Sequence, residues 1–187
     1  MSNTAKKRGR PQKSQSALSK AAIIGAAKNL MATTGNIPSI RKLSAQLGVD
    51  AMAIYHYFKN KDTLLEAITT SLIEDIYTPQ NSEDWQQELS ALCKSYLAIL
   101  SQYDGLLHTL LSMKSDSPAE VFISRFEQII SVLELDSSQS EVFLHLLVDY
   151  LHGFSLAMSC DKGNTLKING IDKQLAFICH YYQHLKS

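Results

Sequence analysis

Residues 39–65 read SIRKLSAQLGVDAMAIYHYFKNKDTLL, and the meaning of that stretch decides the fold. Leu47-Gly48-Val49 puts glycine, which adopts positive φ at no steric cost, between two periodic apolar segments, so one helix stops there and another starts. Before the turn, Ile40, Leu43 and Leu47 share one helix face; Pro38 fixes the entering chain and Ser39 is an N-cap. After it, Asp50 caps a second helix on which Ile54 and Phe58 form the buried stripe. The opposite face holds Ala51, Met52, Tyr55 and His56, small or hydrogen-bonding groups of a size to enter a major groove about 12 Å wide.

A glycine between two apolar stripes is common to many helical hairpins. The continuation Tyr55-His56-Tyr57-Phe58-Lys59-Asn60-Lys61 is more specific, because an aromatic cluster meets a lysine pair at a helix start capped by Asn60. Lysine at a helix N-terminus opposes the helix dipole, and a phosphate bound there reverses the sign of that effect. Tyr57 and Phe58 are read as core rather than DNA contacts.

The segment from about Ile23 to Leu65, above all Ile40 to Val49 followed by Ile54 to Lys61, resembles the DNA-binding domain of TetR-type bacterial repressors. The likeness covers about a quarter of the chain. It implies an all-α fold with a three-helix head on a larger helical body, and repression relieved when a small-molecule inducer binds the body. Carried over residue by residue, it makes Tyr55, His56 and Lys61 the phosphate and base-edge contacts. Ser39, Arg41 and Lys42 join them from the preceding helix, and Ala51, Met52 and Ala53 from the reading helix. Asp50 stands where the family commonly has Ser or Thr, and Ala51 and Met52 offer only apolar contact, such as to a thymine methyl.

Charge distribution agrees with a DNA-facing head. The 187-residue chain has formal net charge zero, yet residues 1–62 hold 11 Lys and Arg against 2 Asp and Glu (+9), and the remainder holds 7 against 16 (−9). Residues 1–17 are basic, polar and without helical periodicity, and read as a disordered arm. Within them Lys7-Arg8-Gly9-Arg10-Pro11 resembles the core of an AT-hook. Glycine permits close approach to the groove floor, proline keeps the chain extended, and Arg8 and Arg10 are drawn to the narrow minor groove of A/T-rich DNA. Two readings of the arm stand, insertion into the minor groove and nonspecific attraction to phosphates. If the arm dominates, the chain is an architectural binder of A/T-rich DNA; if the head is vestigial, it is a helical binding protein.

The domain division expected is arm 1–17, helix-turn-helix head 18–66 and ligand-binding and dimerisation body 67–187. Ile23, Ala26, Ala27, Leu30 and Met31 make a first helix between Ser19 and Gly35, and a helix from Asn60 runs through Ile76 to Thr78-Pro79. Further helices are expected over 84–101, 104–113, 118–135 and 137–160, then a loop over 161–170 and a last helix with Leu175, Ile178, Cys179 and Tyr182. The 137–160 helix is apolar nearly all round and needs cover on more than one side. The resemblance implies a homodimer through helices near 137–160 and 171–186; a central core helix with its cover inside one subunit is the alternative. A dimer explains how two heads engage half-sites about 34 Å apart on a palindromic operator.

No run of about 18 apolar residues and no signal-peptide core is apparent, so a cytoplasmic protein with no membrane partner is expected. Cys93, Cys160 and Cys179 lack metal-ligand spacing and read as buried reduced thiols, with a redox-sensing pair as the other reading. Tyr96, Tyr103, His108, Met113, Phe122, Phe126, Phe143, His145 and His152 are candidates to line an inducer pocket, although aromatic and Met residues at helical spacing are more often plain core. The three histidines show no clear metal-ligand spacing, no cofactor is expected, and no nucleophile, carboxylate pair or phosphate loop suggests an enzyme.

Overall fold

The computed structural model describes residues 18–80, 82–103 and 105–185. All of the regular structure among them is helical. Local capping sets the head. Helix α1 (Lys20–Thr34) starts where the Ser19 hydroxyl oxygen accepts from Ala22 N, and stops at Gly35, φ 70°. Helix α2 (Ile40–Leu47) starts at Ser39, which accepts from Lys42 N, and stops at Gly48, φ 66°. That left-handed geometry costs about 1–2 kcal/mol for a side chain with a Cβ, so glycine is the residue that lets the chain turn directly into α3 (Ala51–Tyr55), capped by Asp50.

Ile23, Ala27, Met31, Leu43, Ile54 and Phe58 close the small core between these three helices. Helix α3 is only five residues long, and Phe58 reaches the core from the turn that follows it rather than from the helix. Tyr57 is half-buried, and its hydroxyl donates to the Leu18 carbonyl.

Helix α4 (Lys61–Ile73) opens on a reciprocal cap, with Asn60 accepting from Thr63 N at 2.8 Å and Thr63 Oγ1 accepting from Asn60 N. Its inner stripe Leu64, Ile68 and Leu72 serves both head and body, since α4 packs against α1 and against α7 (Ser117–Ile130). The helix expected to continue to Thr78 ends at Ile73 instead. Arg125 of α7 takes over the carbonyls beyond, donating to Glu74 O at 2.9 Å, Ile76 O at 2.6 Å and Tyr77 O at 3.3 Å. A guanidinium suits a helix C-terminus, whose last carbonyls have no intrahelical partner. The connector is then held by Glu88, a buried carboxylate that accepts from Gln80 N at 2.9 Å and Ser82 N at 3.1 Å.

The body adds α5 (Trp85–Gln102), α6 (Leu106–Ser112), α8 (Ser137–Cys160) and α9 (Asp172–Gln183). Helix α7 stops at Ile130, short of the expected end near Leu135; a 3-10 turn, Ser131–Leu133, and Glu134 at φ 48° reverse the chain into α8. The expected 161–170 loop holds a 3-10 segment, Ile168–Ile171, and is ordered by Asp161, whose carboxylate accepts from Gly163 N, Leu166 N and the Thr165 hydroxyl. Those bonds hold the Asp161 carboxyl below the usual carboxylate range.

Helix α8 buries one stripe, Phe143, Leu147, Leu151 and Ser155, against α5 and α7. It is also the one described helix long and apolar enough to cross a membrane by length and composition. Cys93 and Cys179 are buried, whereas Cys160 is exposed at the end of α8, against the expectation that all three lie inside. Burial pushes the Cys179 thiol up to about 11 and Cys93 further, so neither is a thiolate at neutral pH.

Candidate nucleic-acid interface and ligand cavity

The ends of α2, α3 and α4 that meet in the head bring expected contacts to the surface. Ser39, Arg41 and Lys42 at the start of α2 are exposed, as are Tyr55 and His56 at the end of α3 and Lys61 at the start of α4. Because Ser39 Oγ accepts from Lys42 N, its own proton remains available to an outside acceptor. Met52 is 66% exposed, which is costly for a thioether side chain in water and suits a surface that is covered in use. Ala51 and Ala53 are half-buried, so less of the reading helix projects outward than the sequence pattern implies. Arg8 and Arg10 lie outside the described residues.

The body contains a half-open cavity of about 370 Å³ lined by residues of α4 to α8. Tyr96, Met113, Phe122, His145 and His152 line it, together with Ile73, Leu110, Pro118, Ile123, Leu144 and Val148, which the sequence reading did not single out. The other candidates lie elsewhere. Tyr103 is buried at the end of α5, His108 is exposed on α6, and Phe126 and Phe143 meet edge to face at 5.1 Å inside the core.

At the cavity's polar end the Tyr96 hydroxyl sits 2.8 Å from His152 Nε2. Burial pushes the tyrosine hydroxyl far up and holds the imidazole below its ordinary value, although Asp149 opposes the second effect, so both groups are neutral at pH 7. Two further hollows differ in character. A groove of about 990 Å³ runs along the outside of α1 and α4, and one of about 480 Å³ beside α7 and α8 is lined by Glu127, Glu134 and Glu141.

The family description "Bacterial regulatory proteins, tetR family" matches residues 23–68, from within α1 to within α4. Over those residues the chain resembles the tetR family. Among similar proteins, tetracycline repressor class G of Vibrio anguillarum is 33% identical over 47% of this chain and 44% of its own. Tetracycline repressor class A from transposon 1721 of Escherichia coli is 35% identical over 35% and 32%. The chain thus spans less than half the length of these curated relatives.

The fold is shared over nearly the whole chain. The Streptomyces coelicolor TetR family protein ActR in complex with actinorhodin superposes with TM-score 0.67 at 16% identity, over 92% of this chain and 87% of that one. BioQ bound to its double-stranded DNA operator gives 0.69 at 17% identity, over 89% and 98%.

One contact missed in the sequence joins cavity and head. The Glu66 carboxylate on α4 accepts from Ser115 Oγ at 2.6 Å and Ser117 Oγ at 2.9 Å, and Ser115 also lines the cavity. Nothing in sequence spacing signals a pairing 49 and 51 residues apart.

Proposed function

We propose that this TetR-type chain is a ligand-responsive transcriptional regulator, a repressor that grips a palindromic operator as a homodimer and lets go when a small molecule fills the α4–α8 cavity. The observation that carries this reading is the exposed set Ser39, Arg41, Lys42, Met52, Tyr55, His56 and Lys61 on the segment that matches the family description. Supporting the dimer, α8 leaves Val142, Leu146 and Leu156 exposed while burying its opposite stripe, and α9 leaves Phe177 and Tyr181 exposed beside it in the body. The chain is read as cytoplasmic, and its basic arm as an addition to the grip of the head.

Mobility shifts on fragments near the protein's own gene test the reading. Binding should weaken steeply with salt, each neutralised phosphate adding roughly 0.9 to the log–log slope. Lys61→Ala should weaken all sequences alike and reduce that slope by about one, whereas His56→Ala should change sequence preference. Salt-independent binding, or equal losses on specific and random DNA from both substitutions, would overturn it. Deleting residues 1–17 should cost only part of the affinity; near-complete loss would favour the architectural reading.

In this scheme Glu66 is the latch. A ligand that displaces the 113–118 segment pulls on α4 through Ser115 and Ser117, and α4 carries the head. The two hydroxyls hold the Glu66 carboxyl below its ordinary value. A carboxyl whose folded pKa is depressed adds stability above its unfolded pKa and loses it as pH falls through the folded value. Thermal melts of Glu66→Ala and the unaltered chain should therefore differ slightly at about pH 7 and converge as the pH falls through the depressed folded value. A gap that persists in acid would mean that Glu66 acts by packing rather than by its charge.

A further inference from the structure

We infer that the α4–α8 cavity takes an uncharged, mainly apolar ring compound of about two fused rings, carrying one hydroxyl or carbonyl oxygen that bonds the Tyr96–His152 pair. The inference rests on the proposed role of the cavity as the inducer site, and it adds the chemistry of the occupant.

Size comes first. At about 370 Å³ the cavity lies near the lower end of the 300–1,000 Å³ or so typical of small-molecule sites, which favours a compact ligand over an extended one. Its walls are mainly apolar, with Ile73, Phe122, Ile123, Leu144 and Val148 lining it beside Tyr96, and Ser115, Asp116 and His145 as the further polar members. Tyr96 and Phe122 are tilted at 52° with centroids 4.9 Å apart, so a flat ring packing here meets aromatic as well as aliphatic surface.

Charge is decided by what the lining lacks and by what it neutralises. Neither lysine nor arginine is among the described lining residues, so an anion desolvated here meets no fixed positive charge. Asp116 is the lining carboxylate; it is exposed and hydrated, and gives a buried cation little. The buried polar end offers a neutral phenol and a neutral imidazole.

Hydrogen-bond counting sets the functional group. If His152 Nε2 accepts from the Tyr96 hydroxyl, the tyrosine oxygen keeps a lone pair and accepts from a ligand O–H; if Nε2–H donates, the tyrosine hydroxyl is free to donate to a ligand oxygen. A hydroxyl satisfies either tautomer and a carbonyl satisfies the second.

Calorimetric titration of the full chain with four probes on one ring system tests this: 2-naphthol, 2-methylnaphthalene, 2-naphthoate and 2-naphthylmethylammonium. The expected result is that 2-naphthol binds tightest and that Tyr96→Phe weakens it about tenfold while leaving 2-methylnaphthalene unchanged. Tighter binding of either charged probe, equal losses for both neutral probes, or no binding of 2-naphthol to the unaltered chain overturns the ligand class. The cavity itself is tested separately by Ala119→Trp, at an exposed lining position, and by Val148→Trp, with folding followed by circular dichroism. Loss of all probe binding in a folded variant supports the cavity. Undiminished 2-naphthol binding in both variants moves the site elsewhere and overturns the reading beneath, whichever probe the unaltered chain prefers.

Discussion

Arginine at both Leu146 and Phe177 is expected to leave the chain monomeric and to weaken operator binding by about 100- to 10,000-fold. Leu146 on α8 is 51% exposed and Phe177 on α9 is 77% exposed, so neither charge enters the core and the fold should survive. What the charges block is the cover that the proposed dimer provides. Val142 at 58% and Tyr181 at 57% are further large apolar side chains exposed on the same two helices.

The size of the loss follows from linkage. In a dimer the second head binds its half-site at the high effective concentration set by the first, and a monomer forfeits that advantage without losing any DNA contact. Sedimentation should report a monomer with unchanged helical circular dichroism. A variant that remains dimeric would show that copies meet elsewhere, and a monomer that binds the operator as tightly as the unaltered chain would contradict a two-headed grip.

The head was legible because each of its boundaries is local. Ser19, Ser39, Asp50 and Asn60 each accept a bond from a backbone N–H two or three residues on, and Gly35 and Gly48 take the positive φ that ends a helix. A sequence states such relations directly. The end of α4 was not legible, because it is set by Arg125 from 48 to 51 residues away, and an arginine within an apolar helix pattern reads as a solvated charge until α7 is packed. The same holds for Glu66 against two serines. Such pairings belong to tertiary structure and leave no trace in periodicity.

Legibility was poorest where cavity and core share one residue alphabet. Phe122 and Phe126 sit one turn apart on α7; the first faces the cavity and the second packs edge-on against Phe143. Helical spacing places both on one stripe, and only the position of α8 separates them. The Tyr96–His152 pair illustrates the opposite failure, since two residues 56 positions apart make the cavity's polar end without any motif.

Phe143→Ala is accordingly expected to cost about 3–5 kcal/mol of folding stability, the range for removing a fully buried phenylalanine. Phe143 is fully buried on α8, stacked on Tyr182 of α9 at 3.9 Å and 8°, and set edge to face against Phe126 of α7 at 5.1 Å and 82°. It is the ring at which α7, α8 and α9 meet. Its loss removes apolar burial, leaves a void and breaks two aromatic contacts, and the surrounding helices relax only in part because they are pinned elsewhere, α5 by α8 and α9 among them. Phe143→Leu keeps most of the volume and should cost less than about 1.5 kcal/mol beyond the lost ring contacts. Urea unfolding measures both, and the two values should differ by more than either ring contact alone supplies. If Phe143→Ala is nearly neutral in stability yet alters binding of 2-naphthol, Phe143 belongs to a ligand site rather than to the core, and the line drawn here between the α4–α8 cavity and the aromatic stack has to move.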